Sequence, residues 1–331
     1  MGHLFESVGR AFSFIWAAVK MAFRDKDLIL PSLFLIVTSL AYVGVVFVLL
    51  NATDTLWLAG IDKEETAVEE TAEAETAVTE TAETGTAPLW AETQPRSVTA
   101  DEEEQEDRGR QIAQAIFYVI TTFIGFLIFY VFAGMTVSLV YDHICGKDAR
   151  IGEAFSLAAK RLPQLALLAV VATVINVLAK AFRGKRGREN VIGSIVAGII
   201  ERLWTVASFL ILPGMMIHNL SLWQGLKRAK DIAAKNLLVV AVGEIAVGMV
   251  ANVIGFLGIA GGVGVGVAVY RVIPKPLFVP VGMGGIIALL AIAFTIYVKA
   301  AYYTCLYVNA VETAEAGHRA ELRGPLADVL A

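Results

Sequence analysis

Cysteine is nearly absent from this chain, with Cys145 and Cys305 the two examples in 331 residues. Neither stands in a CxxC or histidine-flanked spacing, so neither a disulfide framework nor a zinc site is supported. A lone cysteine among apolar neighbours is ordinarily a packing residue. Histidine is also scarce, and the four present, His3, His143, His218 and His318, form no HExxH pair. There is no GxSxG, and no Lys-Ser or Lys-Thr follows the glycine-rich stretch, so metalloprotease, serine-hydrolase and phosphate-loop chemistries lack their residues. The expectation is therefore no catalytic set, no metal site and no cofactor.

Charge is the next scarcity. Only 18% of residues are charged while 57% are hydrophobic, and the mean hydropathy is +0.67. A soluble domain of this length is far less apolar, so the chain belongs in a bilayer. The net charge of -4 conceals an asymmetry: residues 51–110 hold 17 acidic and 4 basic residues, leaving 14 acidic and 23 basic in the rest. Those basic residues gather at the ends of apolar runs, an arrangement for anionic lipid headgroups rather than for nucleic acid.

A helix needs about 20 apolar residues to cross a ~30 Å hydrocarbon core. Six runs qualify: Leu28 to Leu50, Ile112 to Tyr141, Gln164 to Phe182, Val191 to Ile217, Leu237 to Leu257 and Gly282 to Ala310. No small-residue cleavage pattern follows the first, so it is expected to stay attached as a transmembrane helix. Arg10, Lys20, Arg24 and Lys26, then Lys147, Arg150, Lys160 and Arg161, then Lys227, Arg228, Lys230 and Lys235 flank alternate runs. By the positive-inside rule these segments and both termini are expected to face the cytoplasm, and the expected location is the plasma membrane. The basic turn at Arg183, Lys185, Arg186 and Arg188 falls on the opposite side. Either the third run does not fully cross, or the acidic insert on the same face pairs with that turn.

The insert, rich in Glu, Thr and Ala, has too little apolar surface to offset its ordering entropy and is expected to be disordered. The expected organisation is thus a surface helix and first crossing in residues 1–50, an extracytoplasmic acidic insert in 51–111 and a second crossing in 112–141. A surface helix with two crossings follows in 142–217, another such unit in 218–311, and a cytoplasmic tail in 312–331.

The surface helices come from periodicity. Leu4, Phe5, Val8, Phe12, Ile15, Trp16, Val19 and Phe23 recur at helical spacing, with Glu6, Arg10, Ser13 and Lys20 between them. "IGEAFSLAAKRLPQ" and "LSLWQGLKRAKDIAAKN" have the same basic amphipathic character, suited to a membrane surface. The first two share the near-repeat "GRAFS" at Gly9 to Ser13 and "GEAFS" at Gly152 to Ser156. Internal duplication explains this, as does the general tendency of basic amphipathic helices to stand where a chain enters a bilayer. The fold class is accordingly all-α, a polytopic membrane protein of six transmembrane helices and three cytoplasmic amphipathic helices.

The succession "IGEAFSLAAKRLPQL", "LWTVASFLILPGMM" and "LSLWQGLKRAKDIAAKN" resembles a family of prokaryotic multi-pass membrane proteins of unknown function. It is similar, more distantly, to the membrane domain attached to some glycerophosphodiester phosphodiesterases. The likeness rests on the linker before Leu165, on Trp204 and Pro213 in one helix, and on Gly225 to Ala229. It spans residues 1–50 and 112–270 and leaves the acidic insert outside. What it implies is the fold; it brings no activity, since the phosphodiesterase catalytic domain has no counterpart in this chain.

Charges inside apolar runs cost about 2.5–3.5 kcal/mol each, which marks them as candidates for function. Glu201 and Arg202 stand near the middle of the fourth run and, as sequence neighbours, point about 100° apart on a helix. At least one must face another helix or a wet cavity, unless residues 191–202 form a separate interfacial helix. Glu244 in the fifth run and Lys299 in the sixth fall in the same half of the bilayer, where pairing would lower the cost of both. Lys299 has the alternative of extending toward the headgroups. Pro213 removes a backbone donor inside the fourth helix. Gly258, Gly262 and Gly266 make a flat strip for close helix packing, although the alternation after Gly262 also fits a broken helix or re-entrant segment.

Two function classes follow. One is a non-enzymatic component that binds lipid, a protein partner or further copies of itself. The other is a transporter or channel-like protein for a small solute or lipid, relying on Glu201, Arg202, Glu244 and Lys299.

Overall fold

The computed structural model describes residues 2–53, 55–59, 99–183, 191–235, 237–272 and 278–316. Within them the protein is all-α. The helices are α1 (Gly2–Arg24), α2 (Leu30–Ala52), α3 (Thr99–Ile144), α4 (Ile151–Lys160), α5 (Leu162–Arg183), α6 (Val191–His218), α7 (Leu222–Lys235), α8 (Leu237–Val272) and α9 (Phe278–Ala316). Short 3-10 turns cover Lys26–Leu28 and Leu56–Ala59. Six stretches are long and apolar enough to cross a membrane: Lys26–Ala52, Arg108–Ile144, Leu162–Arg183, Ile192–His218, Val240–Arg271 and Gly282–Val311.

Contacts divide the chain into two compact units, residues 1–40 with 123–331 and residues 41–122. In the smaller unit, Gln114 Nε2 donates to the Trp57 carbonyl at 2.7 Å, and the Arg110 guanidinium lies 5.9 Å from the Trp57 ring centroid. Residues 99–111 were expected to belong to the disordered insert, yet they are the first turns of α3. Glu, Gln and Arg are good helix formers, and the acidic run Asp101 to Glu104 lies in the first turns, where the helix dipole favours negative charge. The insert was also expected to include residues 51–59, yet Asn51 and Ala52 end α2 and Leu56–Ala59 form a 3-10 turn; residues 54 and 60–98 lie outside the described residues, as does the basic turn from residue 184 to 190.

In the larger unit each long helix has two unlike halves. On α6, Phe209 to Met216 are buried, whereas Ile192, Ile195, Ile199 and Leu203 are exposed. Tyr297 to Val308 on α9 are almost entirely enclosed apart from Lys299, while Met283, Ile286 and Leu290 are open. On α5 and α8 the enclosed half comes first in the chain: Leu165, Leu168 and Ala172 precede Val174, Leu178 and Phe182, and Val240 and Val247 precede Met249, Val253 and Phe256. This alternation is what antiparallel neighbours produce when all their buried halves lie at one end. Broad exposed apolar surface on the other halves is surface for lipid.

The short helices join the buried end. α1 packs on α8 and α9, enclosing Phe14, Ile15, Ala18, Met21 and Ala22, and the Tyr297 hydroxyl donates to the Ala18 carbonyl at 3.2 Å. Of the apolar face expected to rest on the membrane, Ile15 is packed inside the protein while Phe12, Trp16 and Phe23 stay exposed; the enclosed face is mainly the neighbouring one of Phe14, Ala18, Met21 and Ala22. α7 follows α6 after a three-residue turn in which Asn219 adopts a positive φ of 54°. It folds back along α6, placing Gly225 against Ile211 and Met215. At the end of α1, Asp25 caps the following turn through the Asp27 amide at 3.0 Å, and His143 Nδ1 of α3 stands 3.4 Å from the same carboxylate.

α6 is one unbroken helix across Pro213, so residues 191–202 are not a separate interfacial helix. α8 likewise runs as helix through the glycine strip to Val272. A methyl added to Gly262 would stand 2.5 Å from the Gly284 carbonyl oxygen of α9, and one on Gly258 would collide with Ala291 Cβ. Gly266 approaches the same Gly284. Only hydrogen at Gly258 and Gly262 permits the two helices to lie so close.

Candidate functional site

Lys299 and Tyr303 are four residues apart on α9 and so share a face. Lys299 Nζ lies 3.2 Å from Glu244 Oε1 on α8, and the Tyr303 hydroxyl donates to Glu244 Oε2. Both carboxylate oxygens are thus engaged from one face of the neighbouring helix. The Glu244 and Lys299 side chains are each about a quarter exposed, at 28% and 26%. Lys299 Nζ also stands 5.5 Å from the centroid of Phe209 on α6, and Phe209 stacks on Tyr303 at 5.3 Å with 14° between the rings. Carboxylate, ammonium, phenol and ring form a neutral set joining three helices.

Next to it, Gly243 faces Tyr302 so closely that any side-chain carbon at residue 243 would overlap the Tyr302 hydroxyl. Tyr303, Phe209 and this contact carry no charge inside an apolar run, and sequence reasoning passed over them. The i, i+4 spacing of Lys299 and Tyr303 was the available signal.

Glu201 and Arg202 open into different spaces. Arg202 lines a cleft of about 430 Å³ between α6, α7 and α8. Its walls include Leu203, Val206 and Leu210 of α6, Leu226 and Ala229 of α7, and Val240 of α8. Its ionic groups are Arg202, Lys230 and Glu244. Since Lys299 and Tyr303 already hold Glu244, the cleft retains two cations, and neither Arg202 nor Lys230 has an ion-pair partner among the described residues.

Glu201 lines a second cleft, of about 330 Å³, between α3, α5 and α6. Phe126, Phe129, Tyr130, Trp204 and Phe209 supply aromatic surface there, with Asn176, Thr205 and Ser208 as polar neighbours. Arg183, at the end of α5, donates through Nη2 to Glu201 Oε2. This arginine was expected to belong to the basic turn; it is the last residue of α5 and pairs with Glu201. The structure therefore groups Glu244 with Lys299, brings Arg202 to the same cleft as Glu244, and separates Glu201 from all three. Pro213, Gly258, Gly262 and Gly266 line neither cleft.

No group of three or more His, Cys, Asp or Glu gathers as metal ligands would among the described residues. No family model matches this chain, and neither a curated protein nor a solved structure matches it. Six spanning-length apolar helices in an all-α fold define a multi-pass membrane protein. The two clefts beside α6 carry the candidate chemistry among the described residues.

Proposed function

We propose that this protein is a non-enzymatic membrane component that binds anionic lipid. The observation that carries the reading is the cleft between α6, α7 and α8, whose apolar walls hold Arg202 and Lys230 without an acidic partner among the described residues. A cation beside apolar surface at the edge of a bilayer attracts an anionic headgroup by about 1 kcal/mol per basic residue. In this reading the exposed apolar halves of α5, α6, α8 and α9 sit in the plasma membrane. The buried halves then form a cytoplasmic layer with the amphipathic helices α1, α4 and α7, and both termini are cytoplasmic. Exposed Lys227, Lys230 and Lys235 on α7 support that orientation through the positive-inside rule. The resemblance to multi-pass membrane proteins of unknown function fits this role and adds no activity to it.

The test is thermal unfolding in nanodiscs of phosphatidylglycerol against nanodiscs of phosphatidylcholine. Anionic lipid should raise the midpoint for the native chain and do so much less for the Arg202→Gln, Lys230→Gln double variant. Equal midpoints in the two lipids for the native chain would remove the support.

A transporter or channel-like role is the second reading, favoured by the Glu244, Lys299 and Tyr303 set between two spanning helices. Charged groups paired between such helices are a common construction for solute and ion paths.

A further inference from the structure

On the opposite side of α6 from the cationic cleft, the second cleft has the reverse chemistry. Its lining contains the carboxylate of Glu201 and neither lysine nor arginine. Five aromatic residues line the same cleft as that charge, and aromatic faces attract cations through their quadrupole. One of those rings already holds an ammonium group, since Lys299 Nζ lies 5.5 Å from the Phe209 centroid. Among the described residues Glu201 is bound on one oxygen: Arg183 Nη2 takes Oε2, and Oε1 accepts no hydrogen bond from them. Arg183 stands outside the lining on a side chain 47% exposed, at the last residue of α5.

The geometry points to a binding site for a small alkylated ammonium cation, seated among Trp204, Tyr130 and Phe126 with its charge toward Glu201 Oε1. Alkylated ammonium fits better than a bare metal ion because the lining offers broad aromatic carbon and one carboxylate, while the Thr205 and Ser208 hydroxyls already donate to backbone carbonyls. It fits better than a neutral solute because the one ionic group of the lining is an acid. Arg183 shares the Glu201 carboxylate and repels a second cation, so it acts as a built-in competitor. The inference stands apart from the anionic-lipid reading, which concerns the other face of α6, and either can fail without the other.

The experiment is equilibrium titration of the full chain, in nanodiscs of phosphatidylglycerol so that no choline headgroup is present, with choline and with its uncharged isostere 3,3-dimethyl-1-butanol. Choline should bind and the isostere should not. Glu201→Gln should weaken choline on the order of tenfold, the equivalent of one lost charge-assisted contact. Trp204→Leu should weaken it by a similar factor. Arg183→Gln should strengthen it, a result that misfolding cannot imitate. Failure of choline to bind, equal binding of the isostere, or weaker binding by Arg183→Gln would each overturn the assignment.

Discussion

Glu201 and Arg202 are adjacent in the chain and serve different clefts, Glu201 the aromatic one between α3, α5 and α6, Arg202 the apolar one between α6, α7 and α8. The 100° step of an α-helix accomplishes this separation without any break in α6. One helix thereby presents an acid to one side and a base to the other, and the two need not neutralise each other.

If Tyr303 helps to hold Glu244, its removal has a measurable cost. Tyr303→Phe deletes the hydroxyl that donates to Glu244 Oε2 while keeping the ring that stacks on Phe209. Hydrogen bonds to a charged group contribute about 1.5–3 kcal/mol, and partial exposure of Glu244 puts the expected loss at the lower end. Unfolding in denaturant of wild type and variant, in one detergent, measures it.

Lys299→Met should destabilise more in the native background than in Glu244→Gln, because only the former leaves a carboxylate with an unfilled oxygen. Loss of one partner from a fully buried pair costs about 3–5 kcal/mol, and this pair, with each side chain about a quarter exposed, should lose less. A double-mutant cycle isolates the coupling. A coupling energy near zero would mean that Lys299 is satisfied elsewhere.

Gly243→Val should destabilise by about 1–3 kcal/mol, the usual cost of forcing added carbon into a packed site, because its side chain would overlap Tyr302. Gly248→Ala, five residues further along α8 with nothing within 4 Å of the added carbon, should be neutral or stabilising. Thermal midpoints of the two variants make the comparison.

The transport reading has its own separate test. Glu244→Gln should abolish solute flux in reconstituted vesicles if the Glu244, Lys299 and Tyr303 set lines a path. Flux unchanged in a variant that keeps its fold would count against transport and leave lipid binding standing.

The helical, polytopic character of the fold was legible because length and apolarity alone decide which segments can cross a bilayer. The placement of α1 was not. The stripe legible in the sequence, with Phe12, Trp16 and Phe23, stays largely exposed, and the face that is enclosed, Phe14, Ala18 and Met21, is fixed by tertiary contact with α8 and α9. Likewise α3 begins at Thr99, since an acidic run that cannot build a core can still extend a helix nucleated further along.

At the site, the four charges stand out because ionic groups are rare inside apolar runs. Their companions do not. Tyr303, Phe209 and Trp204 look like ordinary packing residues in the sequence, and Arg183 looks like loop. Which of Glu201 and Arg202 faces which cleft depends on the rotation of α6, set by the packing of Phe209 to Met216 against the bundle. No local pattern encodes that rotation.

The central claim is that Arg202 and Lys230 hold an anionic lipid, and native mass spectrometry of the protein released from detergent with increasing phosphatidylglycerol reads it most directly. Wild type should retain the lipid, and Arg202→Gln, Lys230→Gln should retain it at least about tenfold less tightly, the equivalent of ~1.4 kcal/mol. Phosphatidylcholine should be held weakly by both. Equal retention of phosphatidylglycerol by the native chain and the double variant would contradict the account.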